Sequence, residues 1–328
     1  MGGHIDRCDN SECGKLHLSY NSCRNRHCPK CQGHQREAWI QKRESELLNV
    51  PYFHVVFTLP DHLNELCLRY PEKLYSMLFS TAWQTLKGFG ENPHFLGAKT
   101  GMIAVLHTWG QNLSMHPHLH CIVPAGGVTA SGNWKSAKNK GKYLFPVKAM
   151  SKVLRAKFLD ALNKQGFLEA DLHKKLLQKS WVTYAKQPFQ NPQHVVEYLG
   201  RYTHKVAISN HRIIHMDEKT VTFTMKNYKK GGQKQLSTLS HHEFIRRFSL
   251  HILPKGLVRI RHYGILSSTC KKKLLASIRE QVGEVKLTIT RAPVQHGICP
   301  SCKKGHLEIL CVFDGRGPPE HWIKHFQK

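Results

Sequence analysis

Three histidines recur at every second position in His116-Pro117-His118-Leu119-His120, which runs on into Cys121-Ile122-Val123. In an extended strand alternate side chains share a face, so the three imidazoles would stand together while Leu119 points the other way. Protonated, such rings repel one another. Neutral, they offer lone pairs to a divalent ion that keeps its remaining positions for water or substrate oxygens. The segment therefore reads as a metal or phosphate site.

Cysteines form a second constellation. Eleven occur in the chain, five of them within the first 31 residues, as Cys8-x4-Cys13-x9-Cys23-x4-Cys28-x2-Cys31, with His4, His17, His27 and His34 interspersed. Tetrahedral zinc needs four such ligands, and ligands a few residues apart let one tight turn supply half the coordination sphere. Cys8/Cys13 and Cys28/Cys31 are the expected quartet, with Cys23 and His27 as substitutes. All four positions filled by protein make a structural site, and Arg24 and Arg26 beside it suggest a surface for nucleic acid. Near the other end, Cys299 and Cys302 suggest a second zinc site, completed by His296, His306 or Cys311.

A third constellation is Tyr198-Leu199-Gly200-Arg201-Tyr202, on a helix expected to begin at Asn191-Pro192 and to run to about His204. Four residues of spacing stack the two tyrosines on one helical face, flanked by Arg201 and Lys205. Alone, such a pair serves packing. A tyrosine hydroxyl titrates near pH 10, so a nucleophilic one needs cations or a metal-polarised electrophile beside it.

The elements that must position these residues follow from pattern. A helix is expected over 35–48, ended by Val50-Pro51, and a strand over 52–59, rich in aromatic and β-branched residues and stopped by Pro60. Residues 61–88 read as helix. Strands at 102–109 and 116–123 flank the turn Gly110-Gln111-Asn112, and a Gly/Lys-rich loop follows at 126–142. Helical patterns return over 150–177, and strands over 206–214 and 220–225. Strands mixed with helices without regular alternation point to an α+β antiparallel sheet. Three segments are expected: a zinc-binding module over 1–48, a central domain over 49–235 that carries the histidine strand and the tyrosine pair, and a basic C-terminal region over 236–328.

Charge sets the partner. Among 328 residues, 49 Lys and Arg stand against 22 Asp and Glu, a net charge of +27, in a chain that is 40% hydrophobic. Folded basic domains of this kind favour a polyanion. No run of 18 apolar residues and no signal-peptide core are present, so no membrane partner is expected and the protein should be soluble and intracellular. In that reducing setting the cysteines are better explained by metal than by disulfides.

With the tyrosine pair, His118-Leu119-His120 resembles the His-hydrophobe-His (HUH) endonuclease superfamily, and within it the two-tyrosine transposases of the insertion-sequence-91 group. The resemblance includes Tyr20 to Gln32, Phe57-Thr58-Leu59-Pro60, Tyr198 to Asn210, and Leu253-Pro254-Lys255-Gly256 to Tyr263. It implies an HUH-like antiparallel sheet flanked by helices behind an N-terminal zinc-binding module. It further implies Mg²⁺ or Mn²⁺ on His118 and His120, with His116 or His194 as third ligand. Tyr198 and Tyr202 would attack single-stranded DNA at transposon ends and target site, leaving a 5′-phosphotyrosine and a free 3′-OH. A bacterial, nucleoid-associated cytoplasmic location goes with that role. The group carries a helical segment before the equivalent of Gly2-Gly3-His4, so an N-terminus shorter than the group's is expected. Cys8 and Cys13 are also spaced more widely than the pair usual there.

Lys229 and Lys230, with Arg259 and Arg261, combine cations with neighbouring aromatic rings and would track DNA phosphates. Two other classes compete. A histidine-triad nucleotide hydrolase fits the period-two histidines but gives the charge, the cysteines and the tyrosines no role. A non-catalytic zinc DNA-binding protein leaves the histidine strand unexplained.

Overall fold

The computed structural model describes residues 2–23, 25–28, 40, 43, 45–141, 143–189, 195, 207–227, 231–285 and 297–326. It separates into two units: residues 1–32 with 288–328, and residues 33–287. This division differs from three consecutive segments because both chain ends contribute strands to one sheet. In that terminal unit β1 (Gly3–Cys8) lies between β2 (Leu16–Tyr20) and β13 (Leu307–Phe313), antiparallel to both.

The central unit is built on a five-stranded antiparallel sheet. Its strands are β3 (Tyr52–Thr58), β4 (Gly101–Trp109), β5 (Met115–Pro124), β8 (Thr183–Phe189) and β12 (Ile260–Gly264), in the order β12-β4-β5-β3-β8. The edge strand β12 comes from the segment expected to stand apart after residue 235. It pairs with β4 from Ile260 opposite Val105 to Gly264 opposite Gly101.

Two helices cover one face of this sheet. Helix α1 (Pro71–Glu91) starts with proline at its first turn, where the missing N–H costs nothing, and buries Leu74, Leu78, Ala82 and Leu86 along one side. Helix α2 (Val147–Lys164) buries Met150, Leu154, Phe158 and Leu162 at four-residue spacing. Both pack against Val55, Phe57, Ala104, Leu119 and Cys121. The long helix expected over 150–177 is broken by Gly166, whose φ of 70° suits glycine, and resumes as α3 (Ala170–Gln178). The opposite sheet face carries two apolar patches. Tyr52, Ile103 and Ile122 meet Val195, Ile265, Leu266 and Ile278 of α5 (Ser268–Val282), while Trp109 and Leu113 meet Ile208 and Phe223.

The loop expected over 126–142 contains a hairpin, β6 (Gly126–Val128) with β7 (Trp134–Ser136). Glycine is required at 126, where a Cβ would lie 2.5 Å from the Trp134 ring. The expected strand over 206–214 is also shorter. Ala207 and Ile208 are buried in a bend, Asn210–Arg212 form a 3-10 turn, and only β9 (Ile213–Met216) is extended. With β10 (Thr220–Asn227) and β11 (Gln233–Ser240) it makes a three-stranded antiparallel sheet, against which α4 (His241–Ser249) packs. The turn lets Arg212 donate to the carbonyls of Thr224 (2.8 Å) and Gln111 (2.6 Å), while Arg247 donates to that of Asn112 (3.1 Å). These bonds fasten the three-stranded sheet and α4 to the β4–β5 turn.

Candidate functional site

Register decides which histidines meet. In the β4–β5 pair His107 stands opposite His118, and Val105 opposite His120. The same pleat face therefore carries His107, His118 and His120, and one ligand nitrogen from each lies within 4.8 Å of the others. His107 and His120 are buried and His118 is half-buried. Ile103 and Ile122 continue the face on one side and Trp109 on the other, with the His107 ring stacked on Trp109 at 4.5 Å between centroids. The metal-competent face is thus a polar island between apolar patches, which limits competing water.

The third imidazole is His107, a residue that the sequence reading passed over, and the expected same-face partner His116 has another part. His116 is exposed at the start of β5, and its backbone carbonyl accepts a hydrogen bond from His118 Nδ1 at 2.6 Å. That bond places the proton on Nδ1 and leaves the Nε2 lone pair facing His120 Nε2, 3.1 Å away. On the neighbouring strand, His54 Nε2 lies 2.8 Å from His120 Nδ1. Burial first, and then the Lys186 charge, hold the His54 imidazole down at about 4, so it is neutral near pH 7. A neutral His54 can accept from His120 Nδ1–H and so leave His120 Nε2 available as a ligand. The donor chemistry suits a divalent ion: three imidazole nitrogens, two of them with their other ring nitrogen engaged. The sequence carried no signal for His107: pairing about the Gly110–Ser114 turn, with Trp109 opposite Met115, would set residue 107 opposite 117, and only the register shift between His107 and Trp109 brings it opposite His118.

By contrast, His251 is a structural histidine. Its Nε2 donates to the Leu113 carbonyl at 3.0 Å, leaving Nδ1 to accept from Thr108 Oγ1 at 3.1 Å.

The thiols are gathered differently from the expected quartet. Among the described residues, Cys8 and Cys13 meet Cys299 and Cys302, with all four sulfurs within 4.8 Å of one another. Local spacing could not reveal this, because the pairing of β1 with β13, Cys8 opposite Leu307, brings the two turns together. Cys23, His27 and Cys28 join no such group among the described residues, and Cys31 lies outside them. His306 donates its backbone N–H to Asp9, and the Cys311 thiol donates to the carbonyl of Val312; neither side chain belongs to the cluster.

His194, Tyr198, Arg201, Tyr202 and Lys205 lie outside the described residues, as do Arg24, Lys229 and Lys230. Arg26 and Arg259 are half-buried. Arg261 turns to the helix-covered side, its guanidinium 4.4 Å from the centre of the Phe79 ring and its Nη2 donating to Ser76 Oγ at 3.1 Å. It is committed to packing away from the histidine face. Among the described residues no helix is long and apolar enough to cross a membrane.

Comparisons with known proteins agree with this two-part reading. A family described as putative transposase matches residues 101–273, and one described as transposase zinc-binding domain matches residues 1–59. The chain is 39% identical to a putative transposase, y4qJ, of Sinorhizobium fredii, over 98% of this chain and 88% of that protein. It is 28% identical to the transposase for insertion sequence element IS801 of Pseudomonas savastanoi pv. phaseolicola, over 83% of this chain and 68% of that one. No solved structure matches. A transposase acts on DNA, the polyanion that the net charge calls for, and the zinc-binding match together with the thiol cluster supports structural zinc. With an antiparallel sheet bearing clustered histidines on one face and helices on the other, the chain belongs to the insertion-sequence-91 family of rolling-circle transposases.

Proposed function

We propose that this transposase nicks and rejoins single-stranded DNA through Tyr198 and Tyr202, beside a divalent ion held by His118, His120 and His107. The observation that carries the reading is the convergence of three imidazole nitrogens on one face of the central sheet. Mg²⁺ or Mn²⁺ bound there supplies a Lewis acid that polarises and orients the scissile phosphate. The chain's own groups do the rest. The His116 carbonyl and His54 fix the two ligand imidazoles, and the apolar patches on either side restrict water.

One tyrosine Oη attacks phosphorus as the P–O3′ bond breaks. The phenol proton passes to solvent, and the departing 3′ oxygen gains one. The phosphotyrosine conserves the energy of the phosphodiester, so a 3′-OH can later attack it and restore the DNA without a nucleotide cofactor. A second tyrosine permits a second transfer before the first link is resolved. Support for this arrangement comes from Val195, which is helical and fully buried among Ile103 and Ile122 on the histidine-bearing face. In the helix expected over 192–204, positions 195, 198 and 202 share one side.

Incubation with Mn²⁺ and single-stranded oligonucleotides carrying functional element ends should give a covalent protein–DNA species on denaturing gels. Peptide mass spectrometry should map it to the segment holding Tyr198 and Tyr202. Failure to form the species, or its persistence at the same site in a Tyr198→Phe/Tyr202→Phe chain, would refute the assignment.

A further inference from the structure

The zinc-binding family match ends at residue 59 and contains neither Cys299 nor Cys302. The geometry nevertheless puts these two thiols with Cys8 and Cys13. We propose that Cys8, Cys13, Cys299 and Cys302 hold one Zn²⁺ that clasps the two ends of the chain, so that the zinc module is complete only when the C-terminal turn is present. This inference is independent of the tyrosine and histidine assignments.

Distances favour a tetrahedral ion over packing or disulfides. Zinc–sulfur bonds of about 2.3 Å at tetrahedral angles separate the sulfurs by about 3.8 Å. Cys8 and Cys302 are 3.6 Å apart, and Cys13 and Cys299 are 3.9 Å apart. A disulfide needs about 2.05 Å, and all four residues are free thiols. Four thiols brought this close have little reason to cluster unless a cation compensates their thiolates.

Each pair also sits on a turn shaped to present sulfur inward. On the N-terminal side, the Asn10 carbonyl accepts from the backbone N–H groups of both Cys13 and Gly14, and Gly14 has a φ of 53°. On the C-terminal side, the Cys299 carbonyl accepts from the Lys303 N–H, and Lys303 takes a φ of 58°. That turn aims the Gly305 N–H at Cys302 Sγ, 3.4 Å away. A Cβ on residue 305 would lie 2.5 Å from Cys8 Sγ, so only glycine lets the two turns approach. The turns are laced together: Asp9 N–H donates to the His306 carbonyl, and His306 N–H to Asp9 Oδ1 at 2.7 Å. Outside the four sulfurs, His17 Nε2 lies 3.4 Å from Cys299 Sγ, where an N–H would support a thiolate.

The test uses the full chain purified with its zinc. It is alkylated with N-ethylmaleimide before and after chelation and read cysteine by cysteine by mass spectrometry. Cys8, Cys13, Cys299 and Cys302 should be protected together and become labelled together when the chelator is added. Cys67 and Cys121, fully buried in the central core, should be insensitive to it. Labelling of Cys299 and Cys302 at a rate independent of chelator, with Cys28 and Cys31 protected alongside Cys8 and Cys13, would overturn the clasp. A Cys299→Ser/Cys302→Ser chain should carry one zinc fewer than the native chain by elemental analysis; an unchanged zinc content would also overturn it. If that variant fails to fold, the labelling of the native chain decides, and Cys302→His, which restores a fourth ligand, should retain the ion.

Discussion

The terminal unit gathers four thiols, two from each end of the chain, whereas the central unit gathers three imidazoles from two strands joined by a short turn. Four thiolates fill a tetrahedral ion's sphere and leave no site for substrate, and they fasten two turns that the β1–β13 pairing brings together. Three imidazoles leave positions open, on a sheet already held by the core beneath α1 and α2. One cluster should therefore hold structure, and the other should hold chemistry on a structure that stands without it.

Removing the ion from the thiols should give the largest effect. Structural zinc contributes on the order of 10–16 kcal/mol of apparent binding free energy near pH 7, as much as a small domain's whole stability. On chelation, amides of β1, β2 and β13 should lose hydrogen-exchange protection while those of α1 and the central sheet keep it. Equal loss in both units would erase the contrast.

The imidazoles should behave in the opposite way. A His118→Ala/His120→Ala chain should lose detectable Mn²⁺ binding and at least about a thousandfold of DNA cleavage, given the several kcal/mol that a Lewis acid supplies. Its zinc content and thermal midpoint should remain near those of the native chain. A chain that unfolds would make the histidine face structural as well.

Substitution of His54 by Phe should be milder. It keeps an apolar ring but removes the acceptor for His120 Nδ1–H, and loss of such a partner lowers metal affinity by roughly 10–100-fold. Calorimetric Mn²⁺ titration would measure this. His116→Ala, which retains the carbonyl that fixes His118, should change affinity by less than about tenfold.

The smallest expected effect is a pH dependence confined to the central unit. Burial first, then the charges of Arg43 and Lys271, depress the His262 imidazole from its ordinary 6.5 to about 4. The unfolded chain then takes up the proton first, so stability is level above about pH 6.5 and falls as pH drops toward 4. Thermal melts of the native and His262→Gln chains across that window should show the shallower acid decline in the variant.

Much of the central sheet was legible in the sequence. The strand at 52–58 follows from Tyr52-Phe53-His54-Val55-Val56-Phe57 between two prolines, and the β4–β5 pair from its turn residues. His118 and His120 stood out by their period. The buried His107 and His54 did not, because a single histidine on an apolar strand looks the same whether it packs or binds; only register tells which rings face one another. The break at Gly166 and the bend at 207–209 escaped because a helical or extended pattern continues through them, while a local turn or a distant carbonyl redirects the chain.

The sequence by itself determined the classes of chemistry. Period-two histidines, paired tyrosines, clustered thiols and a charge of +27 specify a metal-using protein of DNA, and they do so because ligand type, spacing and net charge are properties of the chain. Only the tertiary structure decided the partners. Cys8 meets Cys302, and His107 meets His118, because strand pairing closes distances that no local pattern encodes.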